Sequence, residues 1–545
     1  MRRYMEMHTT MTRTKRLLVL GAGLLALGVT ACNPDDLTDL NRNPNSPEDV
    51  PASTLFTYAT QQAVARWLGA GYSLRGADLM IQHLAQVQYP DEDAYSRLIG
   101  SATTGYFDAA YQVELEDLTK VIKKGRDETL AGTWGPGEVM RAWVFSNLTN
   151  TWGDIPYFQA LAGDSVGGSL APEYDDQLSI YQDLLTRLTD ASTALGSATN
   201  SLGDADPIYE GDPALWQKFA NSLRARFALT LINQNPTLAT TELNAAINAA
   251  GGIIDENSEN AQLNWPGDGL YNNPWSNNFQ TRDDHRLSLT FVDILASLSD
   301  PRIAAFAMPA TRDTVDTPFI TKYCPGGISP CYVGLQNALT QSQAGPYIPY
   351  TSRPTEAMYP GTTSYGTFGG SGASFPSFIF TAAEGNFILA EAAQRGLAGL
   401  NAAQAAGFYN AGIEASMRQW GITSAATIAA YQASPGVVYT PATGLVQIAQ
   451  QKWIALFTDG GTAWTEWRRT CVPQQIQPGP AAIQTTVPRR WQYSDTEYSV
   501  NRLNVAAAVE AQGADEFDTR PYFDRTPTAA PTYAAIGGAA GCLGD

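Results

Sequence analysis

Apolar residues recur three and four positions apart through long stretches of this chain, the spacing of a helix that buries one face. They do so over residues 52–68, 74–89, 107–123, 137–151, 176–195, 213–232 and 238–250, and again over 382–395, 401–420, 445–457 and 500–511. Some starts carry their own signal: Asp212 supplies a capping oxygen and Pro213 fits the first helical position. Over about 251–381 the pattern fails. Glycine, proline, asparagine and aromatics crowd this stretch, and only 286–298 reads as a helix. Short β-hairpins fit there, but the pattern does not place them. Irregular stretches of that length usually carry function. The expectation is a mainly α chain, with helix pairs on short connectors stacked in a tetratricopeptide-like array and a loop-rich, irregular part. No clean repeat of about 34 residues is visible to fix the pairing further.

The first 31 residues obey another rule. Arg13, Lys15 and Arg16 precede an apolar run, 17–29, and then Thr30 and Ala31 lead into Cys32. A basic start, a short apolar centre and a small-residue cleavage site make a secretory signal. The run falls short of the roughly 20 residues that span a bilayer. A cysteine directly after Val29-Thr30-Ala31 is similar to the lipobox of bacterial lipoproteins, whose thiol is acylated (palmitate, for example) and becomes the new N-terminus. Three parts are therefore expected: a lipoprotein signal peptide, 1–31; a lipidated, proline-broken tether, 32–51; and one binding domain, 52–545.

Composition narrows the ligand. Only 16% of residues are charged, against about 25% in an average soluble protein. Asn, Gln, Thr, Ser and Gly carry the polarity instead, which suits neutral, hydrogen-bonding ligands. The formal charge is −19, and loss of residues 1–31 takes it to −23, so nucleic acid is not an expected partner. Beyond the inner membrane disulfides are allowed. Cys324 and Cys331 flank a turn-rich hexapeptide, and proximity pairs them, leaving Cys471 with Cys542. Four cysteines permit three pairings, and spacing alone does not choose among them. With three histidines and no C-x2-C pair, neither a zinc site nor a cofactor is expected.

Several segments, taken in order, resemble the SusD/RagB family of nutrient-binding outer-membrane lipoproteins. Ahead of the first helix stands Asp39-Leu40-Asn41-Arg42-Asn43-Pro44-Asn45-Ser46-Pro47, and after it come Thr151-Trp152-Gly153-Asp154-Ile155-Pro156-Tyr157 and Asn221-Ser222-Leu223-Arg224-Ala225-Arg226. Later stand Phe387-Ile388-Leu389-Ala390-Glu391-Ala392, Gln451-Lys452-Trp453-Ile454-Ala455-Leu456-Phe457 and Ala463-Trp464-Thr465-Glu466-Trp467-Arg468-Arg469-Thr470. Arg489-Arg490, then Glu497, Asn501 and Asn504, and finally Pro521-Tyr522-Phe523-Asp524 complete the set, which spans nearly the whole chain. The resemblance implies a right-handed array of four tetratricopeptide-like helix pairs with a more irregular ligand-binding part. It also implies a lid on a TonB-dependent, SusC-like transporter barrel, lipid-anchored in the outer membrane and facing the exterior. Such lids capture oligosaccharides, or peptides in some branches, and pass them inward without catalysis. The glycine-rich 361–374 and the Cys324–Cys331 loop have no counterpart in the shared pattern, so the ligand's identity stays open.

A pyranose offers an apolar C–H face to an aromatic ring and a hydroxyl rim to amides and carboxylates. The stretch 264–278 supplies both, in Trp265, Tyr271, Asn272 and Trp275, and Asp91 and Tyr95 on the acidic loop 89–97 are expected to face the same cleft. The plainer alternative has the two tryptophans plugging irregular structure and 89–97 simply solvated. Trp67 and Tyr72 read as core. Glu384 and Glu391, seven apart, share one helix face. A surface-anchored glycoside hydrolase needs two carboxylates in one cleft about 5–10 Å apart, but an arginine across a helix interface is the expected partner of Glu391. Lys452, Glu466, Arg468 and Arg469 read as a buried charge network beneath Trp453, Trp464 and Trp467. Asp154 reads as a turn residue, and His83 and His285 suggest no triad.

Overall fold

The computed structural model describes residues 49–96, 98–163, 167–310 and 330–525. The expected signal, Cys32, most of the tether, Cys324 and Cys542 lie outside the described residues. Cys331 and Cys471 are each disulfide-bonded.

Helix α1, Ala52–Trp67, shows why the periodicity is informative. Its buried residues, Phe56, Ala59, Thr60, Ala63, Val64 and Trp67, form one stripe at three- and four-residue spacing. Then the backbone widens into a π-helical segment, Ala70–Ala77, where the Leu74 N–H reaches back five residues to the Gly69 carbonyl. The helix expected over 74–89 therefore ends early. A short turn, Asp78–Met80, leads into extended Leu84–Gln86.

Helices α2 (Gly100–Ala109) and α3 (Glu116–Asp127) run on through a second π-helical segment, Ala110–Leu115. Next come α4 (Ala131–Trp152), α5 (Gln177–Leu195), α6 (Pro213–Leu231) and α7 (Pro236–Ile247). Each helix from α3 to α7 packs on the next, and α1 lies on α3 and α4. The Asp212 side chain caps α6 as expected, accepting from the Ala214 N–H at 2.8 Å. After α8 (Leu289–Ser297) the array resumes with α9 (Ala382–Arg395), α10 (Ala402–Gln419), α11 (Ala425–Gln432), α12 (Gly444–Ala455), α13 (Gly460–Thr470) and α14 (Arg502–Gln512). Here α9 packs on α10 and α12, and α12 on α13. Contacts of α6 with α9 and α13 join the two groups. Among the described residues, no helix is long and apolar enough to cross a membrane.

The short strands are β1 (Leu84–Gln86), β2 (Ile155–Pro156), β3 (Tyr174–Asp175), β4 (Ala261–Leu263), β5 (His285–Leu287), β6 (Thr362–Thr363), β7 (Gly366–Thr367) and β8 (Ser377–Phe380). They pair antiparallel as β1 with β5, β2 with β3, β4 with β8 and β6 with β7. The β4–β8 pair clamps the two ends of the irregular stretch, so 264–376 is a single excursion from the helical array. Residues 286–288, expected as helix, belong to β5 and a cap: His285–Leu287 is extended and the Ser288 side chain caps α8.

The charged side chains join α6, α9, α12 and α13. Arg469 donates to both oxygens of Glu391 at 2.8 Å and to Glu466 at 2.6 Å. Lys452 lies 3.2 Å from Glu466 and 3.6 Å from Glu384, and Arg226 donates to Glu384 at 2.7 Å. The expected network is present, and Glu391 has its arginine. Arg468 departs from it. Its guanidinium lies 3.5 Å from the Trp464 ring centroid and donates to the Asn150 and Arg489 carbonyls at 2.7 Å each, and burial lowers it to about 9. Asp154 is indeed a turn residue, its Oδ1 accepting from the Gln177 N–H at 3.0 Å. Gly153 before it has φ +84°, and a Cβ there would lie 1.7 Å from Gln512 Oε1.

Candidate functional site

An open cleft enclosing about 400 Å³, its mouth included, is lined by Gly71, Arg75, Gly76, Glu92, Leu98, Ala102, Tyr106 and Trp491. Four segments build it: the π-helical segment after α1, the short helix Pro90–Asp93, α2 with its approach, and the extended chain around Trp491. Trp491 packs at 5.0 Å from Tyr72, 5.6 Å from Tyr106 and 5.8 Å from Trp152, the last two edge to face. Its Nε1 is buried without a partner among the described residues. Tyr72 lies behind, its hydroxyl 2.7 Å from Thr151 Oγ1, and burial pushes it up to about 12. The small residues at 71 and 76 leave room for these rings. A Cβ at Gly71 would come within 2.1 Å of the Tyr106 hydroxyl, and one at Gly76 within 3.2 Å of the Trp491 ring.

The polar side of the cleft is an arginine–carboxylate cluster. Arg75 Nε donates to Glu92 Oε1 at 2.7 Å, and Gln86 Nε2 to Glu92 Oε2 at 2.8 Å. Arg282 lies 3.5 Å from Glu92, donates through Nε to Asp284 at 2.8 Å, and sits 4.2 Å from the centroid of the Tyr89 ring. Tyr89 itself is 41% exposed. Beneath them Asp93 accepts from the Gln86 and Ala338 N–H groups and from Asn337 at 2.7–3.1 Å. Burial pushes its carboxyl up to about 6 despite these bonds.

None of the aromatic or amide residues expected from sequence lines this cleft. Trp265 and Trp275 are buried, with indole N–H groups donating at 2.9 Å to Ser377 Oγ and the Leu68 carbonyl. They plug the irregular region against the helices, which corrects the expectation that they offer a ring face to sugar. A smaller concavity, about 250 Å³ with its mouth included, lies beside Trp275. Tyr271 is 41% exposed and Asn272 partly so, on a loop held by Asp268 and Asn272 accepting backbone N–H groups at 2.8–2.9 Å. The expected acidic loop does reach the cleft, but through Glu92, with Tyr89 beside it against Arg282. Asp91 is half-buried in the short helix, and Tyr95 is fully buried at φ +68° with its hydroxyl unpartnered among the described residues, so it too is corrected.

Two further constellations are structural. His83 Nδ1 faces Asp78 at 3.1 Å and its Nε2 faces the Trp453 carbonyl at 3.0 Å. Ser73 donates to Asp78 at 2.6 Å rather than to His83, so the serine–histidine relay of a hydrolase is not formed. Glu384 and Glu391 lie in the buried network, away from solvent.

The sequence-family model for starch-binding proteins associating with the outer membrane, SusD-like, matches residues 44–494. No curated protein matches the chain. Among solved structures, a chitin-binding SusD homolog from Flavobacterium johnsoniae superposes with a TM-score of 0.71 at 22% identity, covering 88% of this chain and 99% of that one. A SusD homolog from Bacteroides vulgatus gives 0.71 at 24% identity, over 88% and 98%. A SusD-like protein from Bacteroides thetaiotaomicron gives 0.68 at 21%, over 87% and 98%. At these identities the structures establish a shared fold, and with the match over most of its length the chain belongs to the SusD-like family.

Proposed function

We propose that this chain is a cell-surface lipoprotein that binds oligosaccharide in the Tyr106–Trp491 cleft and delivers it to a TonB-dependent transporter of the outer membrane. The carrying observation is the cleft itself, which sets the half-buried Tyr106, backed by a buried Trp491, beside the Arg75 guanidinium, in a chain whose family is described as starch-binding. Binding is favoured over hydrolysis because Glu92, the carboxylate that lines the cleft, has both oxygens engaged, one by Arg75 and one by Gln86. A glycosidase needs a second carboxylate facing the first. Peptide as ligand is the second reading, and the Tyr106 ring beside Arg75 favours sugar.

Gly71→Ala tests the site with little change elsewhere. The added methyl displaces Tyr106, an overpacking of about 1–3 kcal/mol, and oligosaccharide affinity is expected to fall by about tenfold. Titration calorimetry with N-acetylglucosamine oligomers, the class named for one structural relative, and with maltooligosaccharides checks it. Unchanged affinity for both would remove the cleft from the reading. Cys32→Ser is expected to move the protein from the membrane fraction to the soluble fraction with an unchanged melting temperature. Retention in membranes that lack the transporter would argue against the lipid anchor.

A further inference from the structure

We infer that Arg75 in the cleft wall, with Arg282 and Tyr89 joined to it through Glu92, selects sugars carrying a planar acceptor group, an acetamido carbonyl or a uronate carboxylate; this rests on the cleft being the oligosaccharide site. The two guanidinium groups converge on Glu92. Arg75 spends its Nε and Nη2 on Glu92, and Arg282 spends the same two atoms on Asp284, with Nη2 also near Glu92. In both, Nη1 has no partner among the described residues, and the side chains are 27% and 18% exposed. Glu92 and Asp284 are fully buried behind them. Among the described residues, a ligand there therefore meets arginine donors, with the Glu92 and Asp284 carboxylates engaged behind them.

A sugar hydroxyl can serve as donor or acceptor, so a set of donors gives an unsubstituted hexose no particular advantage. A carbonyl or carboxylate only accepts, and it lies in one plane, as does the guanidinium fork. The two arginine charges are balanced by Glu92 and Asp284, so the pair is not a general trap for anions. Tyr89 completes the arrangement. Arg282, 4.2 Å from its ring centroid, fixes the ring's orientation, and 41% of the residue remains open for the C–H face of a pyranose.

The test is titration calorimetry of the full chain with N-acetylglucosamine, galacturonate and glucose oligomers of equal length. At least one acceptor-bearing series is expected to bind roughly tenfold tighter than glucose, the worth of one charge-assisted hydrogen bond. Arg282→Lys is expected to remove that advantage, lowering the affinity of the acceptor-bearing series severalfold more than that of glucose. Tyr89→Ala, at an exposed position, is expected to weaken every series that binds, and it serves as the second variant if Arg282→Lys melts early. A preference that weakens with added salt assigns the carboxylate, and one that does not assigns the acetamido group. Glucose oligomers binding as tightly as both other series, or Arg282→Lys lowering all three alike, would overturn the inference while leaving the glycan site standing. No binding of any series by the unmodified chain would overturn both.

Discussion

Replacing Arg469 by alanine is expected to lower the free energy of unfolding by about 3–5 kcal/mol, the cost of leaving buried charge uncompensated. The position is severe because one guanidinium serves two carboxylates, Glu391 on α9 and Glu466 on its own helix. Burial alone would push the Glu391 carboxyl up, but the charges of Arg469 and Arg395 outweigh it and hold it well below the usual range. A carboxylate with a lowered folded value stabilises the native state above its unfolded value, near 4.5, and loses that contribution as pH falls below it. The deficit in Arg469→Ala should therefore be greatest near neutral pH and shrink below about pH 4.5, where the unfolded chain of the parent also takes up the proton. Urea unfolding at both pH values checks this. A loss under 1 kcal/mol at neutral pH would mean that the network behaves as an exposed ion pair does.

Trp275→Ala is expected to cost about 3–5 kcal/mol as well, by a different route. The ring is 3% exposed and sits 6.4–6.5 Å from the Phe279 and Phe457 rings, and its N–H satisfies the carbonyl of Leu68 at the end of α1. Truncation opens a cavity and leaves that carbonyl unpaired. Oligosaccharide affinity of the folded variant is expected to match the parent. Calorimetry beside a thermal melt separates the outcomes: weaker binding at an unchanged melting temperature would return Trp275 to the ligand site.

These two residues mark what sequence reading reaches and what it misses. The amphipathic helices were legible because each buries one stripe, as α1 does with Phe56 through Trp67. Helix α13 was hidden as a helix because it is only 11 residues long, opens on Gly460-Gly461 and holds Thr462, Thr465 and Thr470, all weak helix formers. Its charges gave it away instead, since Glu466 and Arg469 in so apolar a setting need partners. The π-helical segment Ala110–Leu115 was read as plain helix, and Ala70–Ala77 as helix only from residue 74, because a wider turn leaves no compositional mark. For the site, Trp265 and Trp275 satisfied the rule that a loop tryptophan is free, but β4–β8 pins their excursion against the helices and turns both rings inward. Trp491 and Tyr106 were missed because nearly four hundred residues separate two rings that touch. Tyr89 and Glu92 stood in the expected loop, yet nothing in a run of acidic residues says which one an arginine will claim.

The segment Ala70–Ala77 gives the cleft a rotational phase. A five-residue reach takes one residue more than an α-turn, which rotates the rest of the helix by about 100°. With that extra residue, Arg75 and Gly76 face the cleft while Ser73 and Asp78 bond each other in the interior, where Asp78 meets His83. Removing one residue there would restore an ordinary helix and turn both sets off target together, so the wall that meets the ligand and the contacts that anchor that wall are set by a single count of residues.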